Sequence, residues 1–192
     1  MLSRMDAESA RAFLLKLPNV VETMQWGNNL VFWVGDKSIG GKMFALVDLD
    51  PPAPAGARVM SFSAGPERFA ELIERDGVIP APYAARLYWV ALQHWNAIAA
   101  PELTSLLRDA HQLTYTKLPQ RTRDVLALPR AELRKVVTER RQLLAGKAAG
   151  KQTPSKVKKA SKHPAAPEKT KSLKGSARPA SGARRERTPG QI

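Results

Sequence analysis

The sequence predicts an α+β protein in which an antiparallel β-sheet packs against helices, followed by a disordered basic tail. Two apolar runs rich in β-branched and aromatic residues, at positions 30–34 and 43–49, flank a glycine-containing connector and predict a β-hairpin. The predicted elements follow in the order α-β-β-β-β-α-β-α-α, which lacks the βαβ alternation of a parallel sheet. From residue 147 onward there is no aromatic residue, and Lys, Ala, Pro, Ser, Thr and Gly dominate.

A first helix is predicted between Asp6, a suitable N-cap, and Pro18, which disfavours helical geometry in the residue before it. Its apolar residues recur at i, i+3, i+4 and i+7, namely Ala10, Phe13, Leu14 and Leu17. A strand at residues 20–26 leads into the hairpin. In the second hairpin strand, strict alternation places Met43 and Ala45 on one face and Phe44 on the other.

After the hairpin, the sequence predicts a strand at residues 58–62, a helix that begins at Pro66 and is closed by Gly77, and a last strand at residues 86–93. Residues 78–83 contain two prolines and are predicted to be irregular.

Two more helices are predicted in the C-terminal half. The first opens at Pro101, and its buried stripe consists of Leu103, Leu106, Leu107 and Ala110. The second begins at Pro129 or Arg130 and should stop at Gly146. Its apolar residues are Leu133, Val136, Val137 and Leu144, and its basic residues, largely on the other side, are Arg134, Lys135, Arg140 and Arg141.

Positive charge is concentrated at the C-terminus. The chain carries a net charge of +14, and residues 147–192 contribute 13 Lys+Arg against 2 Asp+Glu. Residues 1–146 hold 18 basic and 15 acidic side chains and are nearly balanced. The predicted organisation is an α+β domain at 1–124, a basic amphipathic helix at 125–146 and a disordered tail at 147–192. The absence of cysteine, of a signal-peptide pattern and of a long apolar run favours a cytoplasmic protein without membrane contact.

Several strings resemble the MmcQ/YjbR family of small bacterial proteins, in family order over about residues 5–124. They are Leu17-Pro18, Trp26-Gly27, Phe32, Val34, Lys42-Met43-Phe44-Ala45, Pro80-Ala81-Pro82-Tyr83, Trp89-Val90 and Lys117-Leu118-Pro119. The resemblance implies a frataxin-like (CyaY-like) α+β fold and the DNA-binding description usual for the family. The chain departs from it at Ala110-His111, where many members have Ser-Tyr. Frataxins bind iron through an acidic first helix, and only Asp6 and Glu8 are acidic here, so iron handling is not predicted.

Candidate phosphate-binding residues lie in three places. The connector, residues 35–42, is expected to project as a basic finger, and a loop near residue 120 forms a second basic cluster. These two places supply Lys37, Lys42, Lys117, Arg121 and Arg123. The tail supplies Lys151, Lys156, Lys158, Lys159, Lys162, Lys169, Lys171, Lys174, Arg178, Arg184, Arg185 and Arg187. The hairpin lysines are explained equally well as residues that keep an exposed edge or turn soluble. The tryptophans are more typical of core packing than of stacking on bases.

No catalytic or metal-binding pattern accompanies these basic residues. The three histidines lack metal-ligand spacing, and there is no P-loop or G-x-S-x-G string. We therefore predict a non-enzymatic, nucleoid-associated DNA-binding protein without a metal or cofactor, with DNA a better partner than RNA. A small-molecule or protein-binding domain that its tail tethers to nucleic acid or ribosomes is the alternative, and an unrecognised enzyme is a third reading. The oligomeric state is left open.

Overall fold

Six strands form a single antiparallel sheet in the order β1-β2-β3-β4-β6-β5 in the computed structural model, which describes residues 5–51 and 58–149. The strands are β1 (Val20–Gln25), β2 (Asn29–Val34), β3 (Lys42–Asp48), β4 (Met60–Ser63), β5 (Val78–Pro80) and β6 (Trp89–Leu92). The helices are α1 (Ala7–Leu14), α2 (Gly65–Leu72), α3 (Ala100–Thr116), α4 (Gln120–Leu126) and α5 (Arg130–Ala149). Short 3₁₀ turns cover Lys37–Ile39 and Ala85–Leu87. The predicted α+β class is confirmed.

The first helix begins as its sequence predicts. The Asp6 carboxylate accepts a hydrogen bond of 2.7 Å from the backbone N–H of Ser9, which satisfies one of the free donors of the first turn. Ala10 and Leu14 are fully buried against the sheet. The helix ends at Leu14, and Leu17 reaches the core from the turn that follows.

A β-bulge between β2 and β3 breaks the predicted alternation. Phe32 pairs with Ala45, but the next residue, Trp33, pairs with Met43, so Phe44 is the extra residue on β3. Phe44 therefore enters the main core beside Ala45, and Met43 turns to the opposite face. The expectation that Met43 and Ala45 share a face is wrong, because the bulge shifts the alternation by one residue.

The edge strand β5 was not predicted from the sequence. Residues 78–80, predicted to be irregular, pair with β6. Pro80 can occupy this strand because β5 is an edge strand and one row of its backbone groups needs no partner within the sheet. The strand predicted at residues 86–93 is shorter than expected, since a 3₁₀ turn occupies Ala85–Leu87.

Both faces of the sheet bury apolar side chains. The main core lies under α1, α2 and α3 and includes Phe32, Phe44 and Phe62, all fully buried. The opposite face holds two smaller clusters, one around Trp33 and one around Trp89, which are 8% and 6% exposed. These two tryptophans are packing residues, as the sequence suggests.

The C-terminal part differs most from the prediction. The expected loop around Arg121 and Arg123 is helix α4, so the domain boundary drawn at residue 124 falls inside a helix. Leu126, beyond that boundary, is 6% exposed and belongs to the main core. Helix α5 also runs through Gly146 instead of stopping there. The tail predicted from residue 147 is helical to Ala149, and its remainder, from residue 150 onward, lies outside the described residues.

Candidate nucleic-acid interface

The connector between β2 and β3 packs on the domain and does not project as a finger. Asp36 caps its 3₁₀ turn by accepting a 2.8 Å hydrogen bond from the backbone N–H of Ser38. On the other side, Thr122 of α4 donates a 2.9 Å hydrogen bond to the carbonyl of Ile39. Gly40 has a φ of +92°, and a Cβ there would lie 2.9 Å from Thr122 Oγ1. The expected finger is therefore a turn held against α4.

The side chains of Lys37 and Lys42 contact different parts of the domain. The Lys37 ammonium lies 4.6 Å from the centre of the Trp33 ring and 3.4 Å from Gln25 Oε1, at the opposite face of the sheet from the main core. Lys42 Nζ donates a 2.9 Å hydrogen bond to the carbonyl of Lys117, just after α3. A cation at the end of a helix neutralises its free carbonyl groups, so Lys42 has a structural role in addition to any ligand contact.

The structure brings Lys42, Lys117 and α4 together around one end of the sheet. Lys117 and Arg121 are exposed. Arg123 is half-buried, and its Nη2 donates a 2.7 Å hydrogen bond to Gln120 Oε1 on the preceding turn. Arg121 is therefore better placed for an external anion than Arg123. The predicted tail residues from Lys151 to Arg187 lie outside the described part of the chain.

Arg140 of α5 joins this surface, and its neighbour Arg141 does not; the sequence did not select either as a site residue. Arg140 and Arg121 line a cleft of about 270 Å³ between the connector, α4 and α5. Arg141 turns toward the domain, not away from it as predicted, and binds Asp36 with its guanidinium. The contact spans 105 positions, so no local sequence pattern signals it.

Asp36 is the carboxylate that holds α5 to the connector. Its side chain is 9% exposed, and Arg141 Nε approaches Asp36 Oδ2 at 3.1 Å. Burial by itself would raise the pKa of Asp36, but hydrogen bonds from Arg141 and Ser38 stabilise the charged form, and the pKa lies below its usual value. Asp36 therefore stays ionised, and the Arg141 guanidinium is engaged in this ion pair.

The charge of the folded part is divided along the chain. Residues 117–146 contain eight Lys+Arg and three Asp+Glu, whereas residues 1–116 contain ten and twelve. The positive excess thus belongs to the end of α3, to α4 and to α5, the elements that immediately precede the basic tail. Electrostatic attraction of a ligand depends on such local charge, so the candidate contacts of the domain with an anionic ligand are sought in these elements.

His111 occupies the position where the chain departs from the Ser-Tyr pair of the resembled family. It is buried, its Nε2 lies 2.9 Å from the carbonyl of Pro18, and its ring packs edge-on against Phe44 at 5.3 Å. Burial lowers the pKa of His111, and the carbonyl contact opposes that effect in part. A neutral His111 that donates to Pro18 is a core residue linking α3 to the start of β1.

The described residues contain neither a metal-binding cluster nor a membrane-spanning helix. Among residues 5–51 and 58–149, no group of three His, Asp or Glu side chains could hold a metal ion. In that part of the chain, no helix has the length and apolar character that crossing a bilayer requires.

The class of protein is a small α+β domain, with helices on the main-core face of a six-stranded antiparallel sheet and a basic C-terminal helix pair. The YjbR family model matches residues 15–113, and the chain belongs to that family. Helices α4 and α5 lie beyond the matched residues.

Two solved structures resemble the chain. One, a Deinococcus radiodurans protein with a DUF419 domain, is 27% identical with a TM-score of 0.57, and the match covers 67% of this chain and 94% of that one. The other, a Pseudomonas syringae protein, is 22% identical with a TM-score of 0.46, and the match covers 57% of this chain and 99% of that one. Comparison with curated proteins finds no match.

Proposed function

We propose that this protein is a non-enzymatic DNA-binding protein that holds the phosphate backbone with its polycationic C-terminal segment. The α+β domain adds weak docking through the exposed basic surface at Lys117 and Arg121. On this proposal the protein works at the nucleoid and prefers DNA to RNA, and it reads the charge of the duplex more than its bases.

One observation supports the proposal above the others: the positive charge of the domain and that of the tail are adjacent in the chain. Residues 117–146 carry a net +5 and residues 147–192 a net +11, whereas residues 1–116 carry a net −2. Along the chain, α4 and α5 are the elements of the domain nearest to the tail. Phosphate contacts made there release additional counterions.

The contribution of each basic residue follows from its surroundings. Lys117 and Arg121 are exposed, and no ion pair engages either of them among the described residues. Lys42, by contrast, is bonded to a backbone carbonyl, and Arg141 is bonded to Asp36. We therefore assign docking to Lys117 and Arg121, and helix stabilisation to Lys42 and Arg141.

The test measures duplex affinity against salt concentration for three proteins: the full chain, a chain ending at Thr153, and the shorter chain with Lys117→Gln and Arg121→Gln. Each neutralised phosphate contributes about −0.9 to the slope of log K against log salt. Loss of residues 154–192, which hold eleven Lys+Arg and two Asp+Glu, should flatten the slope most. The double substitution should then flatten it by about 1.8 more, which corresponds to two contacts.

A matched pair of substitutions separates docking from net charge. Lys16→Gln, just after α1, and Arg68→Gln, on α2, remove the same charge from exposed positions on other elements. They should change the slope much less than the Lys117 and Arg121 pair. Equal effects of the two pairs would show that the domain has no docking surface. Equal binding by the full chain and the chain ending at Thr153 would overturn the role of the tail.

A further inference from the structure

A second cleft lies on the other side of the connector, between α5 and the segment that joins α1 to β1. Its volume is about 760 Å³, within the range of about 300–1,000 Å³ that small-molecule sites occupy. Its apolar lining is largely leucine and valine side chains, among them Leu17, Leu126, Leu133 and Val137. One side of α5, from Arg130 to Arg141, forms its wall. Neither Lys117 nor Arg121, the two residues assigned to DNA docking, lines this cleft.

Helix α5 contacts the domain but buries little of its own surface against it. It is 20 residues long, yet none of its residues from Arg130 to Lys147 is fully buried. Leu133 and Val137, the apolar residues that it turns toward the cleft, are only half-buried. An amphipathic helix normally derives most of its stability from burying such a stripe. The cleft beside α5 therefore exposes apolar side chains that a ligand can cover.

The wall of the cleft is strongly cationic. Arg130, Arg134 and Arg141 all line it, and Asp36 is its single acidic residue. The charge of Asp36 is already balanced by its ion pair with Arg141. Arg130 and Arg134 are one helical turn apart, are exposed, and form no ion pair with any described residue. Two exposed arginines thus line a largely apolar cleft whose one acidic lining residue is already paired with Arg141.

We infer that this cleft binds a small organic anion with an apolar body and a carboxylate head. A guanidinium group matches a carboxylate in a bidentate pair, which fits Arg134 and Arg130. The apolar body would cover Leu133, Val137 and the floor of the cleft. A nucleic-acid backbone does not fit this chemistry, because it presents charge along its whole length and no apolar body. The inference is independent of the proposed DNA binding.

The test uses the full chain with octanoate as the probe and octan-1-ol as its uncharged counterpart. Binding is followed by calorimetry and by NMR shifts of the Leu133 and Val137 methyl groups. Octanoate should bind saturably, shift those methyl signals and bind more tightly than octanol. Arg134→Gln should weaken octanoate binding about tenfold or more while leaving octanol unchanged, because only the charge-assisted contact is lost.

Two further variants make the result decisive. Thr138→Phe places a ring at an exposed position of α5 that lines the cleft, and should weaken both probes. Arg68→Gln, on α2, removes the same charge elsewhere and should weaken neither. Failure of octanoate to bind saturably, or octanoate binding that Arg134→Gln leaves unchanged, would overturn the inference.

Discussion

At the residue scale, the core is organised by a few side chains whose placement depends on neighbours distant in sequence. Phe44 is fully buried because the bulge rotates it into the main core, where it meets the edge of the His111 ring. His111 in turn reaches Pro18, which lies 93 positions away. These contacts join β3, α3 and the start of β1 into one packed unit.

Because of the bulge, we expect truncation of Phe44 and of its neighbour Met43 to affect stability differently. Phe44→Ala should lower the free energy of unfolding by about 3–5 kcal/mol, since it removes a fully buried ring and leaves a cavity. Met43→Ala should cost less, about 2 kcal/mol or below, because Met43 is only half-buried on the other face. Urea denaturation of both variants measures the difference. The reverse order would mean that strict alternation holds and the bulge is absent.

We expect protonation of the buried His111 to make the stability of the fold depend on pH. Its pKa in the folded chain lies below the ordinary value of 6.5, so below pH 6.5 the unfolded chain binds more protons. Stability should therefore fall as the pH drops from 7 toward 5, with a slope of up to about 1.4 kcal/mol per pH unit from this residue. His111→Gln, which retains a donor for Pro18, should flatten that part of the curve. Identical curves for the two proteins would rule His111 out as the cause.

At the element scale, α4 and α5 form an extension that is attached by polar contacts and by Leu126 in the main core. The Asp36–Arg141 ion pair and the Thr122–Ile39 hydrogen bond hold the connector to the two helices. Helix α5 adds only half-buried apolar side chains, so its stability depends in part on its own helix propensity. A residue of poor propensity within it should therefore have a measurable effect.

Gly146 is that residue. It lies inside α5, and nothing lies within 4 Å of where a Cβ would stand. Gly146→Ala should raise helix content and stabilise the last turns by up to about 1 kcal/mol. Gly40→Ala is the contrasting control and should destabilise the domain, because Gly40 has a positive φ and lies close to Thr122. Circular dichroism and amide hydrogen exchange report both effects, and an unchanged exchange rate in α5 of Gly146→Ala would place the end of the helix before residue 146.

At the scale of the whole molecule, a nearly neutral α+β body is joined to a cationic C-terminal half. The described residues belong to one compact unit that extends to Thr153, and α5 is its last element. The family match ends at residue 113, so the charged extension lies beyond the matched residues. We expect the fold to reside in the body and the charge-dependent properties in the extension.

Two truncations test this division. A chain ending at Thr153 should unfold within about 0.5 kcal/mol of the full chain, because every contact described for the domain is kept. A chain ending at Leu128 loses the partner of the buried Asp36 carboxylate and the cover over Leu126, and should be less stable by about 2–4 kcal/mol. Thermal and urea unfolding measure both. Equal stability of the two truncated chains would show that α5 contributes nothing to the fold.

The sequence by itself determined the class of the fold, the first four strands and the buried stripes of α1 and α3. It could do so because apolar periodicity, Asp6 as a cap and Pro18 as a stop act over a few residues. The family also followed from the sequence, through short strings of residues such as Lys42-Met43-Phe44-Ala45.

Only the tertiary structure decided the bulge that buries Phe44, the β5 edge strand and the docking of α5. Each depends on a partner outside the element itself. Trp33 pairs across the sheet with Met43 and Pro80 with Val90, and Asp36 binds Arg141 from 105 positions away. The candidate site follows the same rule. The sequence picked out basic residues by type, but burial and hydrogen bonding separated Lys117 and Arg121, which are free to meet an anion, from Lys42 and Arg141, which hold the fold together.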